Sequence, residues 1–263
     1  MRVRKLWAAG LVLGLGLAVP AISIAQIQAP FLSQTPTPRI DYWQKRASDI
    51  EQQLSSRANL KSVRMVFIGD SITDFWSLDA NPWFPGKFCG RTVWDESFAA
   101  SALNLGVSGD RIEHVLYRLL PRDKGGAGWL DRADLQPETI FLMLGINNSF
   151  DAEQPAVSSI TKGVEAVITR IRERKPGAKI VVQSLLPTDD DVKNRDLVLP
   201  VNANLRAFAQ QTPGLRFLDL YSAFVDAKGA QRRELFNDSL HPSRTGYRLW
   251  RDQLLAFVSS APH

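Results

Sequence analysis

Five short apolar runs, each separated from the next by a stretch of helical periodicity, constrain this chain more than any other feature. They cover 63–68, 102–105, 139–144, 179–185 and 215–218, and the third, Thr-Ile-Phe-Leu-Met-Leu, is the strongest. Runs that are apolar throughout, without alternation, suit strands of a parallel sheet buried on both faces. The spacing of Ile40, Trp43, Ala47, Ile50 and Leu54 predicts a helix over 39–59. Further helices are predicted over 110–120, 156–174, 194–210 despite Pro200, and 246–258. The expected fold class is α/β, with a parallel sheet covered by helices on both faces.

Composition narrows the remaining choices. A length of 263 residues holds one full α/β domain, and 44% hydrophobic against 22% charged residues is globular and not disordered. Residues 1–25 read as an export signal. Arg2, Arg4 and Lys5 precede an apolar stretch from Leu6 to about Ile22, and small residues lead to a cleavage point after Ala25. An uncleaved anchor is the alternative, since the run is long enough to span a membrane. Both readings export the globular part to the periplasm or the extracellular space, and cleavage leaves no stable membrane insertion. Without the three basic residues of the signal, 29 basic side chains face 27 acidic ones, so the totals give a nucleic-acid partner no support. Residues 26–38, rich in Pro, Thr, Ser and Gln, are expected to be a flexible tether, with the folded domain at 39–263.

Cys89 is the sole cysteine, so no intrachain disulfide forms and the fold rests on packing. One Cys with His114, His241 and His263 does not assemble the usual zinc set. Asp189-Asp190-Asp191 lacks the alternating spacing of a calcium loop and reads as a solvated turn. No metal and no cofactor is expected.

Ligands of such sheets bind beyond the carboxyl ends of the strands. The segments there are Gly69-Asp70-Ser71, Gly106-Val107-Ser108-Gly109-Asp110 and Gly145-Ile146-Asn147-Asn148. A serine nucleophile needs a base, usually a histidine held by a carboxylate. His263 is the last residue, and His114 lies within a predicted helix. His241 lies in Asp238-Ser239-Leu240-His241-Pro242, where Pro242 disfavours the α region and Asp238 can reach back to Nδ1. Ser71 follows a predicted strand; it is either the nucleophile or a helix cap. Thr73 replaces the last glycine of G-x-S-x-G, which argues against an α/β-hydrolase.

Gly69-Asp70-Ser71-Ile72-Thr73, Asn104-Leu105-Gly106-Val107-Ser108-Gly109-Asp110, Gly145-Ile146-Asn147-Asn148 and Asp238-Ser239-Leu240-His241 together resemble the SGNH hydrolases, also called GDSL esterases, in order and placement. Gly109 to Leu119 and the Asn147-Asn148 pair are most similar to the branch containing platelet-activating-factor acetylhydrolase catalytic subunits and bacterial relatives. Many family members have Asp where Asn148 stands. The resemblance implies a three-layer α/β/α sandwich with a five-stranded parallel sheet, flavodoxin-like in order. It also implies a triad of Ser71, His241 and Asp238, with an oxyanion hole of the Ser71 and Gly109 amides and the Asn147 side chain.

Phe75, Trp76, Trp83, Phe84, Phe88 and Trp94 follow the candidate nucleophile. They either wall a substrate pocket or pack their loop onto the body. Asp70, Trp76, Trp83 and Asn148 are the candidate substrate contacts, and the glycine-rich insertion 121–131 with Trp129 is a candidate second rim. The expected activity is that of an exported serine esterase acting on short acyl, chiefly acetyl, esters of carbohydrates or other small molecules. The alternatives are a lipase, phospholipase or thioesterase with the same triad, or a noncatalytic carbohydrate-binding envelope protein. A homodimer is left open.

Overall fold

The structure, a computed structural model, describes residues 29–39, 43–56, 60–79, 90–150 and 153–260. The signal at 1–25, the aromatics Trp83, Phe84 and Phe88, and Cys89 and His263 lie outside the described residues.

The elements run α1 (Gln44–Ser56), β1 (Met65–Gly69), α2 (Ser71–Asp74), α3 (Arg91–Ser97), β2 (Ala102–Asn104), α4 (Ile112–Leu119), β3 (Thr139–Met143), α5 (Ala156–Arg174), β4 (Lys179–Gln183), α6 (Asp191–Lys193), α7 (Leu199–Gln211), β5 (Leu215–Leu218) and α8 (Arg244–Ser259). All strand pairs are parallel, in the order β2-β1-β3-β4-β5. This is the expected α/β sandwich. The order reverses at β1, so the connection to β2 leaves on one face and the later right-handed crossovers cover the other. α4 packs on α5 and α5 on α7, while α3 packs on α8.

Four strands end one or two residues before or after their predicted limits, β5 matches its own, and the helix predicted from residue 194 starts earlier. Asp190 explains that start: its carboxylate accepts from the Val192 and Lys193 amides and caps α6, which a π turn joins to α7. Pro200 sits at the beginning of α7, where the absence of an N–H is tolerated.

One packing cluster accounts for two of the six aromatics after Ser71, Trp76 and Trp94. Phe67 of β1 meets Trp76, Trp94, Phe98 and Phe141 at ring-centroid distances of 4.9–6.5 Å, and Trp76 continues to Tyr247 and Trp250 of α8. Each such side chain removes roughly 150–250 Å² from water, enough to decide where it sits. The insertion 121–131 is likewise no rim. It folds back along α4, with Trp129 N bonded to Arg118 O and its buried indole 4.5 Å from the Arg118 guanidinium.

The segment expected to be a free tether is docked where it is described. Ser33 is buried, and its hydroxyl donates to Ser159 O at 2.7 Å. Glu153 accepts from Leu32 N and Ser33 N, and Thr37 N donates to Glu113 O. Gly163 makes room for it, since a Cβ there would lie 2.8 Å from Ser33 Cβ. Linker-like composition hides this docking because the partners are remote in sequence.

Candidate active site

Ser71 is the first residue of α2, directly beyond β1, and is 7% exposed. The preceding Asp70 caps the helix by accepting from Ile72 N at 3.0 Å. At the first helical position the Ser71 amide has no partner within the helix.

His241 arrives from the other end of the chain. Its loop is closed by a bridge between Phe236 and Pro242 and by Asn237 N bonding to His241 O at 2.8 Å. α8 follows, capped by Ser243, and anchors the loop twice. Tyr247 Oη donates to Ile72 O at 2.8 Å, and Trp250 Nε1 donates to Gln183 Oε1 at 2.7 Å. The loop is also tied sideways, because Gln231 Nε2 donates to both Pro187 O and Ser239 O.

The result is a continuous relay. His241 Nε2 lies 2.9 Å from Ser71 Oγ, and His241 Nδ1 lies 2.8 Å from Asp238 Oδ2. The other Asp238 oxygen accepts from Leu240 N at 2.8 Å and His241 N at 2.7 Å. Partial burial alone would raise the Asp238 pKa, but these two amides and the imidazole outweigh it and hold the carboxyl below its usual range. The Phe75 ring lies 4.8 Å from the His241 ring.

The turn carrying the predicted donor Gly109 lies against the end of β1, where Val107 N bonds to Gly69 O at 3.2 Å. Gly109 has φ +75°, in the left-handed region that glycine adopts without strain. Asn147, beyond β3, donates from Nδ2 to Asp110 O at 2.8 Å and keeps a second hydrogen. Its turn is therefore tied to the turn carrying Gly109. Gly106 lets that loop approach α2, since a Cβ there would lie 2.5 Å from Asp74 N.

Three of the four candidate substrate contacts are redirected, and the fourth, Trp83, lies outside the described residues. Asp70 is 0% exposed, so it supports α2 and does not face a ligand. Burial, with the Asp110 charge adding to it and the Ile72 amide opposing, pushes its pKa up to about 7. Trp76, also 0% exposed, belongs to the aromatic core. Asn148 is buried and committed at both ends: Oδ1 accepts from Ile112 N at 3.0 Å, and Nδ2 donates to Glu113 Oε2 at 2.8 Å. It joins the β3 loop to the start of α4. Polar motif residues beside a nucleophile read as contacts in sequence, whereas their geometry is that of caps and braces.

Three arginines escaped the sequence reading altogether. Arg46 pairs with Asp74 at 2.7 Å and donates to Gly106 O and Asn104 O. Arg118 donates to Leu105 O at 2.8 Å and pairs with Asp110. Arg39 pairs with the other Asp110 oxygen at 3.0 Å. The available signal was Arg118, a charge within the otherwise apolar Ile112, Val115, Leu116, Leu119 pattern. Arg39 and Arg46 carry none.

The profile of the GDSL-like lipase/acylhydrolase family matches residues 67–249. The human platelet-activating factor acetylhydrolase IB subunit alpha1 is 32% identical over 194 residues, covering 71% of each chain. A GDSL-like lipase from Bacteroides thetaiotaomicron superposes with a TM-score of 0.59 at 17% identity, covering 82% of this chain and 98% of its own. An acetylxylan esterase from Geobacillus stearothermophilus does so with a TM-score of 0.52 at 15% identity, covering 74% and 93%. These two solved structures share the fold.

Proposed function

The chain belongs to the GDSL-like lipase/acylhydrolase family, and from that premise we propose that it is an exported serine esterase removing short acyl groups, acetyl above all, from carbohydrates or other small alcohols. The observation that carries this reading is the unbroken Ser71, His241, Asp238 relay, with 2.9 Å and 2.8 Å between successive groups.

In this reading His241 Nε2 takes the Ser71 hydroxyl proton as Oγ attacks the ester carbon. Negative charge gathers on the former carbonyl oxygen, met by the Ser71 and Gly109 amides and the free hydrogen of Asn147. Asp238 holds the imidazolium and its tautomer. Collapse breaks the ester bond, and the leaving alcohol takes the proton from His241. Water then attacks the acyl-enzyme by the same sequence, releasing the acid and restoring Ser71. Support for an acetyl group comes from the 32%-identical relative, an acetylhydrolase. Support for export comes from the pattern of residues 1–25.

The test is a panel of acetylated sugars, acetylated lipids and p-nitrophenyl esters of rising chain length, assayed with wild type and Ser71→Ala. Wild type should prefer acetyl, and Ser71→Ala should lose turnover and fluorophosphonate labelling together. Stoichiometric labelling of Ser71→Ala would place the nucleophile elsewhere. A preference for long chains would replace the acetyl reading with a lipase. Sequencing the N-terminus of the secreted protein tests export and cleavage after Ala25.

A further inference from the structure

The peptide unit joining Ser108 to Gly109 carries one of the three proposed oxyanion donors. In a trans peptide the C=O and N–H point in opposite directions, so whatever grips Ser108 O sets the direction of Gly109 N–H. Residues 107–110 form a turn closed by Asp110 N bonding to Val107 O at 3.1 Å, with Gly109 at φ +75°. A positive φ at the third position is the mark of a type II turn. Rotating the central peptide by half a turn gives a type I turn, which reverses the Gly109 N–H. The two forms are close in energy for a glycine-containing turn, so one must be selected by its surroundings.

The selecting contact comes from the docked N-terminal segment. Arg39 Nη1 donates to Ser108 O at 2.9 Å and to Asp110 Oδ1 at 3.0 Å. Its side chain is 9% exposed. We infer that residues 29–39 are a strap completing the oxyanion turn, with Arg39 as the positioning residue that holds the Ser108 carbonyl and thereby aims the Gly109 N–H at the reacting oxygen. The inference rests on the esterase reading.

Three further observations converge on it. Ser108 is held from its other side by Asp74, which accepts from Ser108 N at 3.0 Å and Ser108 Oγ at 2.7 Å. Ser108 is thus held on both sides of its Cα, by Asp74 at its amide and hydroxyl and by Arg39 at its carbonyl. Asp110, the second group Arg39 grips, offers its backbone carbonyl to Asn147 Nδ2, so the same arginine steadies a second donor through one intermediate. A cation on the Ser108 carbonyl also polarises the peptide and strengthens its N–H as a donor. The strap is anchored independently through Ser33, Glu153 and Thr37, which delivers the guanidinium at a fixed reach.

The experiment compares wild type, Arg39→Ala, Arg39→Lys and Ser71→Ala as full-length mature chains, measuring p-nitrophenyl acetate kinetics and Tm. Arg39→Ala should lose roughly 10- to 10²-fold in kcat, the scale of a misplaced catalytic group, with KM changed by less than about twofold. Added guanidinium ion at millimolar concentration should restore part of that kcat in Arg39→Ala while leaving wild type unaffected. Arg39→Lys should fall between, since an ammonium keeps the charge and loses the planar fork. Wild-type kcat in Arg39→Ala, a loss expressed in KM, or a loss that follows Tm and ignores both guanidinium and Lys would each overturn the inference. If wild type lacks Ser71-dependent turnover, the esterase reading alone fails. The clamp is then read from the Gly109 amide resonance, which shifts in Arg39→Ala if Arg39 holds the peptide and stays in place if it does not.

Discussion

His241 and Asp238 sit in one short loop, and the bonds that orient the pair are local: the carboxylate grips the amides of Leu240 and His241, three residues on at most, and solvent reaches 39% of the Asp238 side chain. The turn carrying Gly109 is built the opposite way. Arg39 and Arg118 reach it from the strap and α4, Arg46 of α1 pairs with the Asp74 that grips Ser108, and Asp110 at its end is 1% exposed. In the proposed mechanism the base half can therefore adjust as a proton comes and goes, while the oxyanion half holds its dipoles fixed before charge develops. That division suits the chemistry, since a fixed donor costs no reorganisation when the negative charge appears.

The largest effect should come from the base half. Asp238→Asn keeps the shape and the two amide contacts but favours the wrong imidazole tautomer, and turnover of p-nitrophenyl acetate should fall on the order of 10⁴-fold. Since the loop is held largely through backbone atoms and Gln231, Tm should change little. A loss below tenfold would mean that Asp238 only shapes the loop, and the contrast between the two halves would collapse.

This contrast also explains what was legible in the sequence. The strands, their order along the chain and the Asp238 to His241 spacing depend on neighbours within a few residues, so pattern and motif carry them. The oxyanion turn was legible as Gly109 and Asn147 but not in what holds it, because Arg39 and Ser108 are 69 residues apart and Arg46 and Asn104 are 58 apart. Trp76 and Asn148 were misplaced for the same reason. Adjacency to Ser71 or Asn147 says nothing of whether a side chain turns inward to α8 or α4. The docking of Ser33 depends on the small volume of Gly163, which only the packed arrangement displays.

Asp70 tests the rigid half through pH. Its carboxyl titrates near pH 7 in the folded chain against the ordinary value of 3.8, and one buried oxygen has no partner among the described residues. Below about pH 4 the folded and unfolded chains both carry the proton. As pH rises toward 7 the unfolded chain ionises first, so stability contributed by the protonated group is lost through that window, up to roughly 4 kcal/mol. Asp70→Asn removes the titration and keeps an oxygen to accept from Ile72 N. Wild type minus variant stability, from urea unfolding at pH 4 to 8, should fall across the window and level off above it. A difference independent of pH would mean that Asp70 is ionised in place and that the turn tolerates a further buried charge.

Phe75 should give the smallest effect and marks where the two halves meet. It stands four residues after Ser71, and its ring lies 4.8 Å from the imidazole at an interplanar angle of 31°. If hydrogen bonds already orient His241, the ring adds only its contact, worth about 0.5–1.5 kcal/mol. Phe75→Leu retains most of the apolar area and removes the aromatic face, so kcat should fall about two- to tenfold with KM nearly constant. A loss approaching that of Asp238→Asn would show that the base is held by packing as firmly as the oxyanion turn is held by its arginines, and the two halves would then be built on one principle.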